Sequence, residues 1–206
     1  MIPLLPAAYF APISYYGYLV ESNFQVGINE NERFQKQTIR NRAEILGANG
    51  KIRLTVPLIK WSTKVPTKEI RIDNSSNWKH VHWMSIQSAY RNSAFFEHYE
   101  DKIKAFFIAD YEHLIDLNIA SLQLATSLLN ADLSIENISD SDNLDKALFE
   151  DLKSKFIKKR LNKPSKTYPQ VFSDRFDFFA DLSILDLLFN LGPRASIYLQ
   201  NQHKIS

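Results

Sequence analysis

A chain of 206 residues with 45% hydrophobic and 13% aromatic content can bury a substantial core, and its length predicts one domain spanning 1–206. A 23% charged fraction, a mean hydropathy of -0.27 and only 5 Gly with 8 Pro exclude a disordered or fibrous chain. The absence of cysteine excludes a disulfide framework, a thiol nucleophile and Cys-ligated zinc or iron–sulfur clusters.

Ile2 to Leu5 reads as a short buried strand, Tyr15 to Val20 as a helix begun near Pro12 or Ser14, and Phe24 to Ile28 as a second strand. Strand, short crossover and strand make a βαβ unit with the two strands parallel. Ile39 to Leu46 and Ile52 to Leu58 flank Gly47-Ala48-Asn49-Gly50, whose Asn-Gly step predicts an antiparallel hairpin. Glu69 to Ile72 reads as a short edge strand, the last strand expected. Asp73 to Asn77 then supplies turn and cap chemistry for a helix from Trp78. Helices follow at Trp78 to Arg91, Phe95 to Ala109, Leu114 to Asn130, Asn143 to Leu161 and Ser183 to Asn190, the last stopped by Gly192-Pro193; Ser139 to Asp142 reads as an exposed loop. The expected class is α/β: a small mixed sheet in the N-terminal half, built from the βαβ unit and the hairpin, and a mainly helical C-terminal half.

The net charge of +2 conceals local concentrations. Between Arg33 and Arg53 stand Arg33, Lys36, Arg40, Arg42, Lys51 and Arg53 against the single acid Glu44. Within Phe34 to Arg42, basic residues alternate with the amides Gln35, Gln37 and Asn41. A strand's period of two puts Arg40 and Arg42 on one face, joined by Lys36 and Thr38 if the strand starts early. Forked guanidinium donors and an ammonium on one face suit a phosphate- or carboxylate-bearing small molecule; a solvated outer strand has the same pattern. The second basic run, Lys153 to Lys166, follows Asp142, Asp145, Glu150 and Asp151 on the same expected helix, as the helix dipole favours, so it reads as a solvated helix end. With no recognition signature and little net charge, nucleic acid is not expected as a partner.

In Trp78-Lys79-His80-Val81-His82-Trp83 the two histidines point to different helix faces, which disfavours a metal site. His82 shares a stripe with Ile86 and Tyr90 and is the candidate general acid or base, with Tyr90 as a second polar handle; both residue types are also common in cores. Tyr9, Tyr15 and Tyr16 either line a cleft or fill the core. Asp186, in an otherwise apolar helix, calls for a basic partner, for which the strand arginines are candidates. The five glycines are too scattered for a phosphate loop, a dinucleotide fingerprint or a Gly-x-Ser-x-Gly elbow, so the cofactor is left open.

The blocks Tyr9-Phe10-Ala11-Pro12 with Tyr15 and Tyr16, Phe34 to Arg42, Asn49-Gly50 with Leu54 to Pro57, His82-Trp83, Ala89-Tyr90-Arg91, Phe95-Phe96 and Leu182 to Asn190 occur in an order that resembles the WbqC-like proteins, a bacterial family associated with surface-polysaccharide and O-antigen gene clusters. The His-Gln-Pro or Gln-Pro that often precedes the first aromatic pair in such proteins is here Leu5-Pro6-Ala7-Ala8. The resemblance implies a role in building or decorating surface glycans, as an acyl-, aminoacyl- or glycosyl-type transferase. Combined with the residues, it makes Lys36, Arg40, Asn41, Arg42 and Tyr9 the ligand-binding candidates and His82 and Tyr90 the catalytic ones. The alternative is a non-catalytic binding or assembly module of a glycan pathway. The start of the sequence lacks a basic n-region and no segment reaches about 18 apolar residues, so the expected location is the cytoplasm, without a membrane span.

Overall fold

Short strands from the first 28 residues and from residues 134–151 meet in one parallel sheet. A computed structural model of the chain describes residues 1–60, 65–138, 148–157 and 166–202. Strand β1 (Ile2–Leu4), helix α1 (Ile13–Glu21) and strand β2 (Gln25–Ile28) form the expected βαβ unit, with Leu4 beside Gly27 in parallel register. β3 (Arg42–Gly47) and β4 (Gly50–Thr55) form the expected antiparallel hairpin as a separate two-stranded sheet. Gly47 faces Gly50, and Gly50 takes the positive φ of 104° that closes the turn.

Helices α2 (Trp78–Tyr90), α3 (Phe96–Ile108) and α4 (Leu114–Leu128) follow the apolar periodicity of the sequence. The edge strand expected at Glu69 to Ile72 does not form, because Thr67–Glu69 is a 3-10 turn and Arg71 and Ile72 make only isolated bridges to His113 and Leu58, and further strands follow later in the chain. β5 (Ser134–Asn137) pairs in parallel with β2, and β6 (Phe149–Asp151) pairs in parallel with β1, giving the order β5-β2-β1-β6. The long helix expected over Asn143 to Leu161 is replaced at its centre by β6. Only the short α5 (Lys153–Ile157) is helical among the described residues of that stretch, and the loop expected at Ser139 to Asp142 lies outside the described residues. α6 (Ile184–Leu191) is capped by Ser183, whose side chain accepts the Leu185 N–H. Gly192-Pro193 does not end the helical region: α7 (Arg194–Gln202) follows at once and packs on α1 and α6.

One packed apolar cluster joins the segment after β1, both sheets and the helices. Tyr9, Tyr15 and Tyr16 are fully buried within it, so the aromatic block belongs to the core. No helix among the described residues is long and apolar enough to cross a membrane.

Candidate functional site

The hairpin's alternation builds a two-sided element. Ala43, Ile45 and Leu54 point into the core, while Arg42 and Glu44 on β3 share the opposite face with Arg53 and Lys51 on β4. Register places Glu44 directly across from Arg53, and its carboxylate accepts from the Arg53 guanidinium at 3.1 Å and from Lys51 Nζ at 3.5 Å.

This charged face forms one wall of a cleft of about 240 Å³. The rest of its lining comes from Gln37, Thr38 and Ile39 in the turn before β3, Phe10 and Pro12 in the segment after β1, Lys155 and Phe156 of α5, and Ala180, Asp181 and Ser183 of the segment before α6. That last segment is tied by backbone bonds both to the segment after β1 and to the hairpin: Ile13 N–H donates to Leu182 O, Ile184 N–H to Ala11 O, and Ser183 N–H to Glu44 O.

Arg42 is the central cation. Its Nε is buried and has no hydrogen-bond partner, and burial together with the nearby Arg53 charge pulls its pKa below the usual guanidinium value. A buried guanidinium donor left unpaired beside a second cation carries an unmet hydrogen-bonding demand. Lys155, also on the lining, rests its ammonium 5.2 Å from the Tyr18 ring centre.

The other basic residues of the run are placed differently. β3 starts at Arg42, so Arg40 lies in the preceding turn rather than on a shared strand face. It is fully buried, and its guanidinium is held by Glu32 through both Nε, at 3.1 Å, and Nη2. Arg40 is therefore committed inside the fold and does not line the cleft. Lys36 is exposed in the same turn, outside the lining. Asn41 is buried, and its amide donates to Val56 O at 3.3 Å, joining the turn to the end of β4.

His82 and Tyr90 do share one stripe of α2, and both are buried on the core side of the hairpin, away from the cleft lining. Tyr9 Oη and His82 Nδ1 are 2.9 Å apart, and His82 also hydrogen-bonds the backbone of Thr55, the β4 residue paired with Arg42. Burial lowers the His82 pKa to about 4, so the ring is neutral at ordinary pH. Tyr90 Oη accepts the Leu46 N–H of β3 at 3.2 Å and donates to Asp186 at 2.8 Å. The two candidate catalytic side chains thus fasten α2 to each strand of the hairpin. Burial, and next the Asp186 charge, push the Tyr90 hydroxyl well above its ordinary pKa, which leaves it a neutral donor.

Asp186 was expected to face a basic residue. Instead its buried carboxyl accepts from Tyr90, Tyr168 and Gln170. Burial raises its pKa, with those three hydrogen bonds acting against the rise. Neither strand arginine reaches it: Arg40 is held by Glu32, and Arg42 faces the cleft.

The family model for the WbqC-like protein family matches residues 7–159. The chain belongs to the WbqC-like protein family. That membership suggests a role in polysaccharide-related biosynthesis. No curated protein and no solved structure matches the chain. The WbqC-like match covers the hairpin, Gln37 to Ile39 and α5, whereas the lining residues Ala180, Asp181 and Ser183 lie beyond it. Two lining residues that the Phe34 to Arg42 reading passed over, Lys51 and Arg53, carried a sequence signal of their own. They stand in the same basic stretch, across an Asn-Gly turn, at positions whose parity puts them on the face of Arg42.

Proposed function

We propose that this WbqC-like chain binds the anionic part of an activated sugar or acyl donor in the hairpin cleft and acts as a small transferase in bacterial surface-polysaccharide biosynthesis. The observation that carries this reading is half-buried Arg42 on the cleft lining, whose Nε atom is buried and unpartnered, with Arg53 and Lys155 also on the lining. A phosphate or carboxylate placed there satisfies the Nε donor and screens the Arg42–Arg53 repulsion. Apolar Phe10, Ile39 and Phe156 offer a surface for the rest of the donor.

A thermal-shift and calorimetric screen of inorganic phosphate, nucleotide-sugars and acyl-CoAs tests it. Stabilisation by at least one of them, abolished in Arg42→Ala, is the expected result; no shift with any of them counts against the reading. The burial of His82 and Tyr90 away from the cleft favours a second reading, a binding or assembly module that performs no transfer. Turnover of a bound donor by the isolated protein would defeat that alternative.

A further inference from the structure

The cleft lining carries four cations against two carboxylates. Glu44 is satisfied by Lys51 and Arg53, and Lys155 is stacked on Tyr18. Arg42, Lys155 and Asp181 have no ion-pair partner among the described residues.

Asp181 is held in an unusual way. Its φ is 57°, in the left-handed region that costs a non-glycine residue on the order of 1 kcal/mol. Its neighbours fix it there. Gln170 clasps Phe179 from both directions, its amide nitrogen donating to Phe179 O and its carbonyl accepting the Phe179 N–H, each at 3.0 Å. On the other side Leu182 and Ser183 are bonded to Ile13 and Glu44. Asp181 Oδ1 accepts the Ser14 N–H at 2.8 Å. A carboxylate offers about four acceptor sites, so most of its capacity remains for a ligand in the cleft.

We propose that Asp181 selects ligands that carry a protonated amine beside their anionic group, such as an amino-sugar phosphate, with the anion on Arg42 and the amine on the Asp181 carboxylate. This rests on the anion-binding reading of the cleft and adds its substrate class. Burial disfavours the Asp181 charge and raises its pKa, Glu44 pushes it further the same way, and Ser14 and Lys51 oppose the rise. An ammonium relieves that cost where a neutral hydroxyl does so only in part. No covalent step by Asp181 is involved; it sets specificity by charge.

The test is calorimetric binding of glucosamine 6-phosphate against glucose 6-phosphate at pH 7. For the unaltered protein, the amino sugar should bind about tenfold more tightly, the scale of one partly buried charge pair. Asp181→Asn keeps the shape and tolerates the left-handed backbone, and it should bring the two affinities together mainly by weakening the amino sugar. Equal binding of both sugars by the unaltered protein overturns the amine selection and leaves the anion site standing. Binding of neither overturns the amine selection, while the thermal-shift screen of phosphate, nucleotide-sugars and acyl-CoAs decides the anion site separately. The comparison on the unaltered protein needs no variant, so misfolding of Asp181→Asn does not blunt it. If glucosamine 6-phosphate stays preferred in a folded Asp181→Asn, the role of Asp181 is refuted.

Discussion

Two arginines two residues apart have opposite thermodynamic roles. Arg40 is fully buried, and its charge is matched by Glu32. Removing one partner of a buried pair strands the other, which costs about 3 to 5 kcal/mol. Arg40→Ala is therefore expected to lower the unfolding free energy by that order in urea melts. Arg42 makes no compensating hydrogen bond through Nε and feels Arg53 nearby, so Arg42→Ala should stay within about 0.5 kcal/mol of the unaltered protein while losing anion binding. If the two variants lose stability equally, the assignment of one to the fold and the other to the cleft is wrong. The run Phe34 to Arg42 could not reveal this division. The partner of Arg40 stands eight residues back, across a turn that bends at Gln37 with φ 62°, and an alternating pattern does not announce where a strand begins.

At the scale of elements, what could be read depended on how local its cause was. The βαβ unit and the hairpin follow from patterns a few residues long, and turn parity alone sets which hairpin side chains share a face. β5 and β6 were hidden because edge strands of three or four residues with charged positions carry little alternation. β6 is also embedded in a spacing of Leu144, Leu148, Leu152 and Phe156 that imitates a helix. Its pairing with β1 across nearly 150 residues decided the outcome. α7 was missed because Gly192-Pro193 reads as a stop, although proline is well suited to the opening of a helix. Gly192 is where that junction is most sensitive. Its φ is 53°, and an added Cβ would lie 2.4 Å from the Phe95 ring. Gly192→Ala should cost roughly 2 to 4 kcal/mol from backbone strain and overpacking together. Denaturant unfolding measures it, and a loss under about 1 kcal/mol would mean the junction repacks freely.

For the whole molecule, the buried polar links through α2 impose a pH dependence. The folded pKa of His82 is about 4 against an ordinary 6.5, so the unfolded chain takes up the proton first as pH falls. The contribution of His82 is thus intact above pH 6.5 and declines as pH drops toward about 4, by up to about 1.4 kcal/mol per unit. His82→Gln should start less stable, through the altered hairpin contact, and show a shallower decline over that interval; matching slopes would refute the link.

The cleft also has a history in time. Its walls come from residues 10–12, 37–44, 51–53, 155–156 and 180–183, and α5 follows directly on β6, which pairs with β1. During synthesis from the N-terminus, at about 5–20 residues per second, the hairpin leaves the ribosome several seconds before Asp181 does. The two groups proposed to hold the ligand, Arg42 and Asp181, therefore come together only after the segment through Ser183 has emerged and bonded to Glu44 of the hairpin.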